Sequence, residues 1–253
     1  MIRGVLLDLS GVLYIGDKPI PGALDAVQHL ADAGLPVRYI TNTTRKPSYA
    51  ILKQLSDMQF HIKPAELFTA PIAAKDFLKK HNLVPYLLIH PNLKQEFEEY
   101  KNISNINSVL IGDAGDGFTY KKMNEAFRYL FNGATFLALG INRYFKDGDR
   151  FSLDAGPFVR ALEYATGYEA TVIGKPSKEF YMSAVYSIGC KPEEAIMVGD
   201  DVESDVLGAV NAGLQAILVQ TGKFSKGDED KLDNNARVEV DISNAVNYII
   251  ENI

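Results

Sequence analysis

The amino-terminal residues 1–13 read MIRGVLLDLSGVL. The apolar run at residues 2–7 has the length and composition of a buried β-strand, and Asp8 follows it directly. Gly11 then permits a sharp turn. Because ligands of open α/β sheets bind beyond the carboxyl ends of the strands, Asp8 is a candidate active-site residue.

The rest of the chain alternates short apolar runs with amphipathic stretches, which predicts an α/β protein with a parallel sheet. A helix is predicted from near Pro21-Gly22 to Gly34, with one apolar face made of Ala23, Val27, Leu30 and Ala31. Further strands are predicted at residues 36–40, 170–173, 195–198 and 215–219, and further helices at 48–59, 178–188 and 206–212.

The middle of the chain has its own strand pattern, at residues 86–89, 108–111 and 135–139. We therefore expect residues 76–170 to form an inserted α/β domain. Residues 1–75 and 171–253 would together form the domain into which it is inserted.

Composition and charge narrow the functional classes. The chain is 47% hydrophobic with a formal net charge of −6, so it has no electrostatic footprint for nucleic acid. The single Cys190 cannot form a disulfide within the chain and fits a reducing compartment. The first apolar run is too short for a secretory signal, and no later run has the length of a membrane span. We expect a cytoplasmic protein that does not bind membranes.

Polar residues follow four of the predicted strands. Asp8 would be exposed at the sheet edge, where its carboxylate can attack phosphorus; taken alone, it also fits a residue that caps a turn. Thr41 and Asn42 follow the second strand and offer a hydroxyl and an amide to phosphate oxygens, although they also fit a solvated turn that caps the next helix.

The other two strand ends carry charge. Lys175 follows the predicted strand at 170–173 and supplies a compact positive charge, although a lone surface lysine is common. Asp200, Asp201 and Asp205 follow the strand at 195–198. Crowded acids repel each other unless a cation holds them, which predicts Mg²⁺. Asp205 would lie at the start of the next helix, as a cap or as support for the metal.

Together these motifs resemble the haloacid dehalogenase-like (HAD) phosphatase superfamily, over essentially the whole chain. The motifs are Asp8 within DLSGVL, then Thr41-Asn42, then Lys175, and finally Gly199-Asp200-Asp201 with Asp205. The insertion between the second and third motifs resembles the C2-type cap of the NagD-like branch.

The resemblance implies a Rossmann-like core and Mg²⁺ held by Asp8, the Ser10 backbone carbonyl and Asp200, with Asp201 and Asp205 in support. It also implies that Thr41, Asn42 and Lys175 hold the transferring phosphate of a small phosphorylated substrate. The cap, around residues 113–118, would close over the leaving group, and two chains would pair through their caps as a homodimer.

Ser10 departs from the family pattern, in which an aspartate two residues after the nucleophile serves as general acid and base. A hydroxyl lacks that capacity, so a contribution of about 10²–10⁴-fold is reduced or supplied by another group. Substrates whose leaving group departs without a strong acid are then favoured, namely pyrophosphate and phosphoramidates.

Two other functions remain open from the sequence. One is a dehalogenase, in which Asp8 would attack carbon; the acids near Asp200 and the Lys175 charge disfavour it. The other is a catalytically weak phosphate-binding or interaction protein of the same fold, in which Ser10 marks lost activity. This function is disfavoured because the chain keeps Asp8, the pair Thr41-Asn42, Lys175 and the acids near Asp200.

Overall fold

The computed structural model describes residues 1–147, 150–232 and 235–253. Its β-strands, in chain order, are β1 (Gly4–Asp8), β2 (Tyr14–Ile15), β3 (Lys18–Pro19), β4 (Val37–Thr41), β5 (Leu67–Thr69), β6 (Pro85–Leu88), β7 (Ser108–Ile111), β8 (Thr135–Ala138), β9 (Tyr144–Asp147), β10 (Arg150–Leu153), β11 (Thr171–Val172), β12 (Ala195–Gly199), β13 (Gln215–Val219) and β14 (Ala236–Glu239).

The α-helices are α1 (Ala23–Asp32), α2 (Ser48–Asp57), α3 (Ala70–Lys80), α4 (Tyr120–Phe131), α5 (Gly156–Thr166), α6 (Lys178–Tyr186), α7 (Gly208–Asn211) and α8 (Ile242–Glu251). A π-helical turn, Val202–Leu207, precedes α7, and 3₁₀ segments lie at Pro64–Glu66, Pro91–Tyr100, Gly115–Gly117, Pro192–Glu194 and Glu229–Lys231. No helix among the described residues combines the length and apolar character needed to cross a bilayer.

The first compact unit comprises Met1–Thr41, Ser48–Phe68 and Lys175–Ile253. Its sheet has the strand order β14-β13-β12-β1-β4-β5, and β1 pairs in parallel with both β12 and β4. Every residue of β1 is buried, as expected for a central strand covered on both faces. The order places the carboxyl end of β1 between those of β12 and β4.

The core of this unit joins β1 to the helices that flank it. Val5 and Leu7 pack in one cluster with Leu30 of α1 and Ile249 of α8. The buried face of α1 is Ala23, Ala26 and Leu30; the sequence had placed Ala31 on it, but Ala31 is exposed. Gly34 has a φ of 71°, so its left-handed backbone turns the chain after α1 toward β4.

The second compact unit comprises Asn42–Pro47 and Thr69–Gly174. Its four-stranded sheet has the order β11-β8-β7-β6 with parallel pairing, and β9 and β10 form an antiparallel hairpin. Its core contains Val109 and Ile111 of β7, Leu130 of α4 and Leu162 of α5.

The α/β fold with two parallel sheets confirms the predicted fold class, but one strand has a different partner. The sequence pattern assigned residues 170–173 to the first unit's sheet, whereas Thr171–Val172 pairs with Leu137 and Ala138 of β8 in the second unit. A two-residue strand carries no sequence signal for its partner. The chain enters the first unit only at Lys175.

Candidate active site

Asp8 is the last residue of β1, and only 7% of its surface is exposed. Its Oδ1 atom accepts a hydrogen bond from the Lys175 ammonium at 2.5 Å. Burial raises the pKa of Asp8 to about 7, Lys175 opposes that rise, and the charges of Asp205 and Asp200 add to it. The predicted nucleophile is therefore a buried carboxyl group that needs positive charge nearby to stay ionised at neutral pH.

Lys175 connects two acids of the site. Its Nζ atom donates to Asp8 and also to Asp205 Oδ1 at 2.7 Å, and the residue is 5% exposed. Burial alone would lower the pKa of Lys175, but the carboxylates of Asp205 and Asp8 outweigh it and hold this pKa above its usual value. The lysine is a permanent buried cation, so the surface-lysine interpretation is wrong.

The acids that follow β12 have distinct partners. Asp200 is 2% exposed, and its Oδ2 accepts a hydrogen bond from the Lys223 backbone N–H at 2.7 Å. Burial and the Asp205 charge raise the pKa of Asp200 to about 6. Asp205 is buried as well, and its Oδ2 accepts from the Asp201 N–H at 3.2 Å.

Asp201 has the capping role that the sequence had offered to Asp205. Its Oδ1 accepts from the backbone N–H groups of Glu203 and Ser204, so the helical segment begins at Val202 rather than at the predicted residue 206. Its Oδ2 lies 2.9 Å from the Lys223 ammonium. Despite burial, this ammonium lowers the pKa of Asp201. Asp205 lies inside the helical segment, and its carboxylate faces Lys175.

The arrangement of carboxylates fits a hard divalent cation. Asp8, Asp200 and Asp205 each offer an oxygen, and these oxygens lie within 4.8 Å of one another. The single ammonium of Lys175 cannot balance three buried carboxylates. Both Asp205 oxygens already accept hydrogen bonds, whereas the hydrogen bonds among the described residues use one oxygen of Asp8 and one of Asp200. Asp8 and Asp200 are thus the better placed ligands for Mg²⁺.

The remaining predicted residues lie at the expected chain positions. Ser10 is exposed, two residues after Asp8. Thr41 ends β4, is 7% exposed and follows Ile40, the residue paired with Asp8. Asn42 begins the 42–47 segment of the second unit, and a Cβ atom on Gly174 would lie 2.6 Å from its Oδ1. Metal binding by the Ser10 carbonyl and phosphate binding by Thr41 and Asn42 stay predictions.

Sequence reasoning missed two charged residues. Lys223 lies beyond the carboxyl end of β13, so the strand-end rule applied to that strand indicates it. In the second unit, Arg45 forms an ion pair with Asp113, which is 3% exposed, and its guanidinium carbon lies 4.2 Å from the Phe145 ring centroid. No local signal links Arg45 to a partner so distant in sequence.

Comparisons with known proteins agree with the arrangement of the motifs. A haloacid dehalogenase-like hydrolase model matches residues 5–102, and a HAD-hydrolase-like model matches residues 172–245. Haloacid dehalogenase-like hydrolase domain-containing protein 2 from Bos taurus is 43% identical over 231 residues, which cover 91% of this chain and 89% of that protein.

Two further proteins extend the likeness over nearly the full length. Phospholysine phosphohistidine inorganic pyrophosphate phosphatase from Homo sapiens is 41% identical over 257 residues, which cover 99% of this chain and 95% of that protein. The structure of NagD from the E. coli K-12 strain superposes with a TM-score of 0.86 at 24% identity, over 96% of this chain and 97% of that one.

Proposed function

This chain belongs to the haloacid dehalogenase-like hydrolases, in their NagD-like branch, and we propose that it is a Mg²⁺-dependent phosphatase that uses Asp8 as its nucleophile. One observation carries the proposal. The buried Lys175 ammonium donates to Asp8 and Asp205 while an oxygen of Asp200 lies within 4.8 Å of theirs, so nucleophile, cation and metal-binding acids share one place.

The chemistry follows from these groups. An ionised Asp8 oxygen attacks phosphorus, the bond from phosphorus to the leaving group breaks, and an aspartyl phosphate forms. Water then attacks the same phosphorus, which releases inorganic phosphate and regenerates the Asp8 carboxylate. Lys175 holds Asp8 in place and offsets charge on the transferring group, and Thr41 and Asn42 bind its oxygens.

Bound Mg²⁺ would neutralise the charge of the phosphate and of the carboxylates around it. Asp8, Asp200 and the Ser10 carbonyl would hold it. Asp205 would keep Lys175 oriented, and Asp201 would fix the start of the helical segment after β12. Because the pKa of Asp8 is raised to about 7, a bound cation would also favour its ionised form at neutral pH.

The substrate class is inferred from Ser10. Without a carboxylic acid at that position, the leaving group must depart as a weak base or carry its own proton. Pyrophosphate, acyl phosphates, aryl phosphates and phosphoramidates meet that condition. The name of the human relative describes a phosphatase of phospholysine, phosphohistidine and inorganic pyrophosphate, which fits the same class.

The test is replacement of Asp8 by Asn, with Asp25→Asn as a control on an exposed acid of α1. With Mg²⁺ and pyrophosphate or an aryl phosphate, wild type and the control should release phosphate, and Asp8→Asn should not. Acid-quenched wild-type enzyme should carry a radiolabelled phosphoryl group that hydroxylamine removes. Turnover by folded Asp8→Asn above a few per cent, or no turnover by wild type on any of these substrates, would refute the proposal.

We also propose that the second unit selects the substrate, that two copies pair through it, and that the protein works in the cytoplasm. Pairing is supported by apolar side chains exposed on the β9–β10 hairpin, namely Tyr144, Phe151 and Leu153. Sedimentation of wild type and Phe151→Ser tests the pairing, since only the variant should be monomeric at micromolar concentration.

A further inference from the structure

Three consecutive residues after β13 contact the acids and the turn of the candidate active site. The Thr221 hydroxyl donates to the backbone carbonyl of Gly11, in the turn that follows Asp8. The Lys223 N–H donates to Asp200 Oδ2 at 2.7 Å, and the Lys223 ammonium lies 2.9 Å from Asp201 Oδ2. The 221–223 loop thus contacts the segments after β1 and β12 at the same time.

The middle residue of this loop leaves no room for a side chain. A Cβ atom on Gly222 would overlap Asp200 Oδ2 and lie 2.5 Å from the Gly11 Cα atom. Gly11 has the same constraint, because a Cβ atom there would also overlap the Asp200 carboxylate. Two glycines therefore approach the Asp200 carboxylate closely, and both have a positive φ, of 90° at Gly11 and 60° at Gly222.

We propose that the 221–223 loop positions Asp200 for the metal ion and sets the affinity of the site for Mg²⁺. With Oδ2 held by the Lys223 N–H and approached closely by the backbone of both Gly11 and Gly222, one orientation of Asp200 is selected before the cation arrives. Groups that orient a ligand in this way typically change metal affinity by about 10–100-fold when they are removed.

The loop residues act as positioning residues, since their contacts are with the carboxylates of Asp200 and Asp201 and with the Gly11 backbone. Thr221 fixes the turn that carries the Ser10 carbonyl, Gly222 permits the close approach, and Lys223 holds Asp200 and Asp201 together. This inference rests on the proposed function, because it assumes that Asp200 is a ligand of Mg²⁺.

The test compares Gly222 with a second glycine, Gly227, which lies further along the chain. Gly222→Ala inserts a methyl group against Asp200, whereas Gly227→Ala inserts one at another positive φ, of 101°, where no described residue other than its chain neighbours has a heavy atom within 4 Å. The readout is the Mg²⁺ concentration that gives the same fixed rise in melting temperature in each protein, measured without substrate, because this concentration scales with the dissociation constant. We expect this concentration to rise at least tenfold in Gly222→Ala and to stay within twofold of wild type in Gly227→Ala.

If Gly222→Ala fails to fold, a second pair of variants tests whether the 221–223 loop sets the Mg²⁺ affinity. Thr221→Val removes the hydroxyl at nearly constant volume, and Thr221→Ser retains it. Thr221→Val should weaken Mg²⁺ binding severalfold, and Thr221→Ser should bind Mg²⁺ as wild type does.

Two outcomes would contradict the proposals, and they can be told apart. Wild type whose melting temperature does not respond to Mg²⁺ would overturn the proposed metal dependence, and this inference with it. Wild type that responds, beside folded Gly222→Ala or Thr221→Val with unchanged Mg²⁺ affinity, would overturn the role of the loop alone.

Discussion

The Lys175 ammonium lies 2.7 Å from Asp205 Oδ1, and both side chains are almost fully buried. The same ammonium holds Asp8, so one cation serves two acids. A buried charge without a partner is costly, whereas this arrangement lets a lysine stay charged in the interior beside the proposed nucleophile. We therefore expect the group formed by Asp8, Lys175 and Asp205 to affect folding as well as catalysis.

Replacing Lys175 by Met removes that shared cation. With EDTA at pH 8 we expect the free energy of unfolding to fall by about 3–5 kcal/mol, because Asp8 and Asp205 are left buried and uncompensated. With Mg²⁺ we expect kcat/KM to fall at least about 10²–10³-fold, since charge stabilisation of the transferring group is lost. Urea denaturation and phosphate release measure the two effects.

The control is Lys178→Met, which removes an exposed ammonium at the start of α6. It should change the unfolding free energy by no more than about 0.5 kcal/mol and leave turnover intact. Equal stability of the Lys175 and Lys178 variants would show that Asp8 and Asp205 do not need the buried cation.

In the second unit, the ion pair of Arg45 and Asp113 should contribute to stability in a coupled way. Among the described residues, Arg45→Gln leaves the buried Asp113 carboxylate with the Gly115 N–H as its one remaining hydrogen-bond donor, and we expect a loss of about 1–3 kcal/mol. Asp113→Asn added to it should cost less than the sum of the single changes. Arg160→Gln, which breaks the surface pair with Glu163, should cost less than about 1 kcal/mol.

The predicted residues that do lie together are those that directly follow strands of one parallel sheet. Asp8 ends β1 and Asp200 follows β12, the neighbour of β1. Adjacent parallel strands end at the same edge, so the apolar run before each acid was sufficient to bring them together. This rule does not explain why Lys175 contacts Asp8, because the strand that precedes Lys175, β11, belongs to the other unit's sheet.

Other features had no readable pattern in the sequence. The β9–β10 hairpin and β14 were not predicted, because short, partly exposed strands show little alternation of polar and apolar residues. The partners of Lys223 and Arg45 depend on loops that meet only after folding. The sequence also does not show that Asp201 rather than Asp205 caps the helical segment, because either aspartate could begin a helix.

The pKa of Asp8 predicts how metal-free stability depends on pH. Its value of about 7, against an ordinary 3.8, means that the folded protein binds a proton that the unfolded chain releases. This contribution is complete below pH 3.8 and is lost as pH rises through about 7. Asp8→Asn cannot titrate, so in EDTA its stability relative to wild type should increase from pH 5 to pH 8.

Denaturation of both proteins at several pH values measures this difference, in which the other acids largely cancel. Saturating Mg²⁺ at pH 8 should stabilise wild type more than Asp8→Asn, because the variant lacks the carboxylate that we propose as a ligand of the cation. A stability difference that is constant between pH 5 and pH 8 would contradict the raised pKa.

Ser10 gives the prediction that bears most directly on substrate class. If no strong general acid faces the leaving group, negative charge builds on that group in the transition state, and the rate should depend steeply on its basicity. We expect kcat/KM to be much higher for pyrophosphate, acyl phosphates and aryl phosphates than for sugar or alkyl phosphates. Phosphoramidates should join the fast set because their nitrogen can be protonated before the bond to phosphorus breaks.

Replacing Ser10 by Asp should flatten that dependence and raise kcat/KM on alkyl phosphates. We expect a rise of about 10²-fold, which is the lower end of the usual contribution of general acid catalysis. The exposed position of Ser10 gives the new carboxylate room. The measurement is kcat/KM for aryl and alkyl phosphates of graded leaving-group pKa, with both proteins at saturating Mg²⁺ so that a change in metal affinity does not alter the slope. A shallow slope that is the same in both proteins would mean that another group already protonates the leaving group, and the substrate argument from Ser10 would then fail.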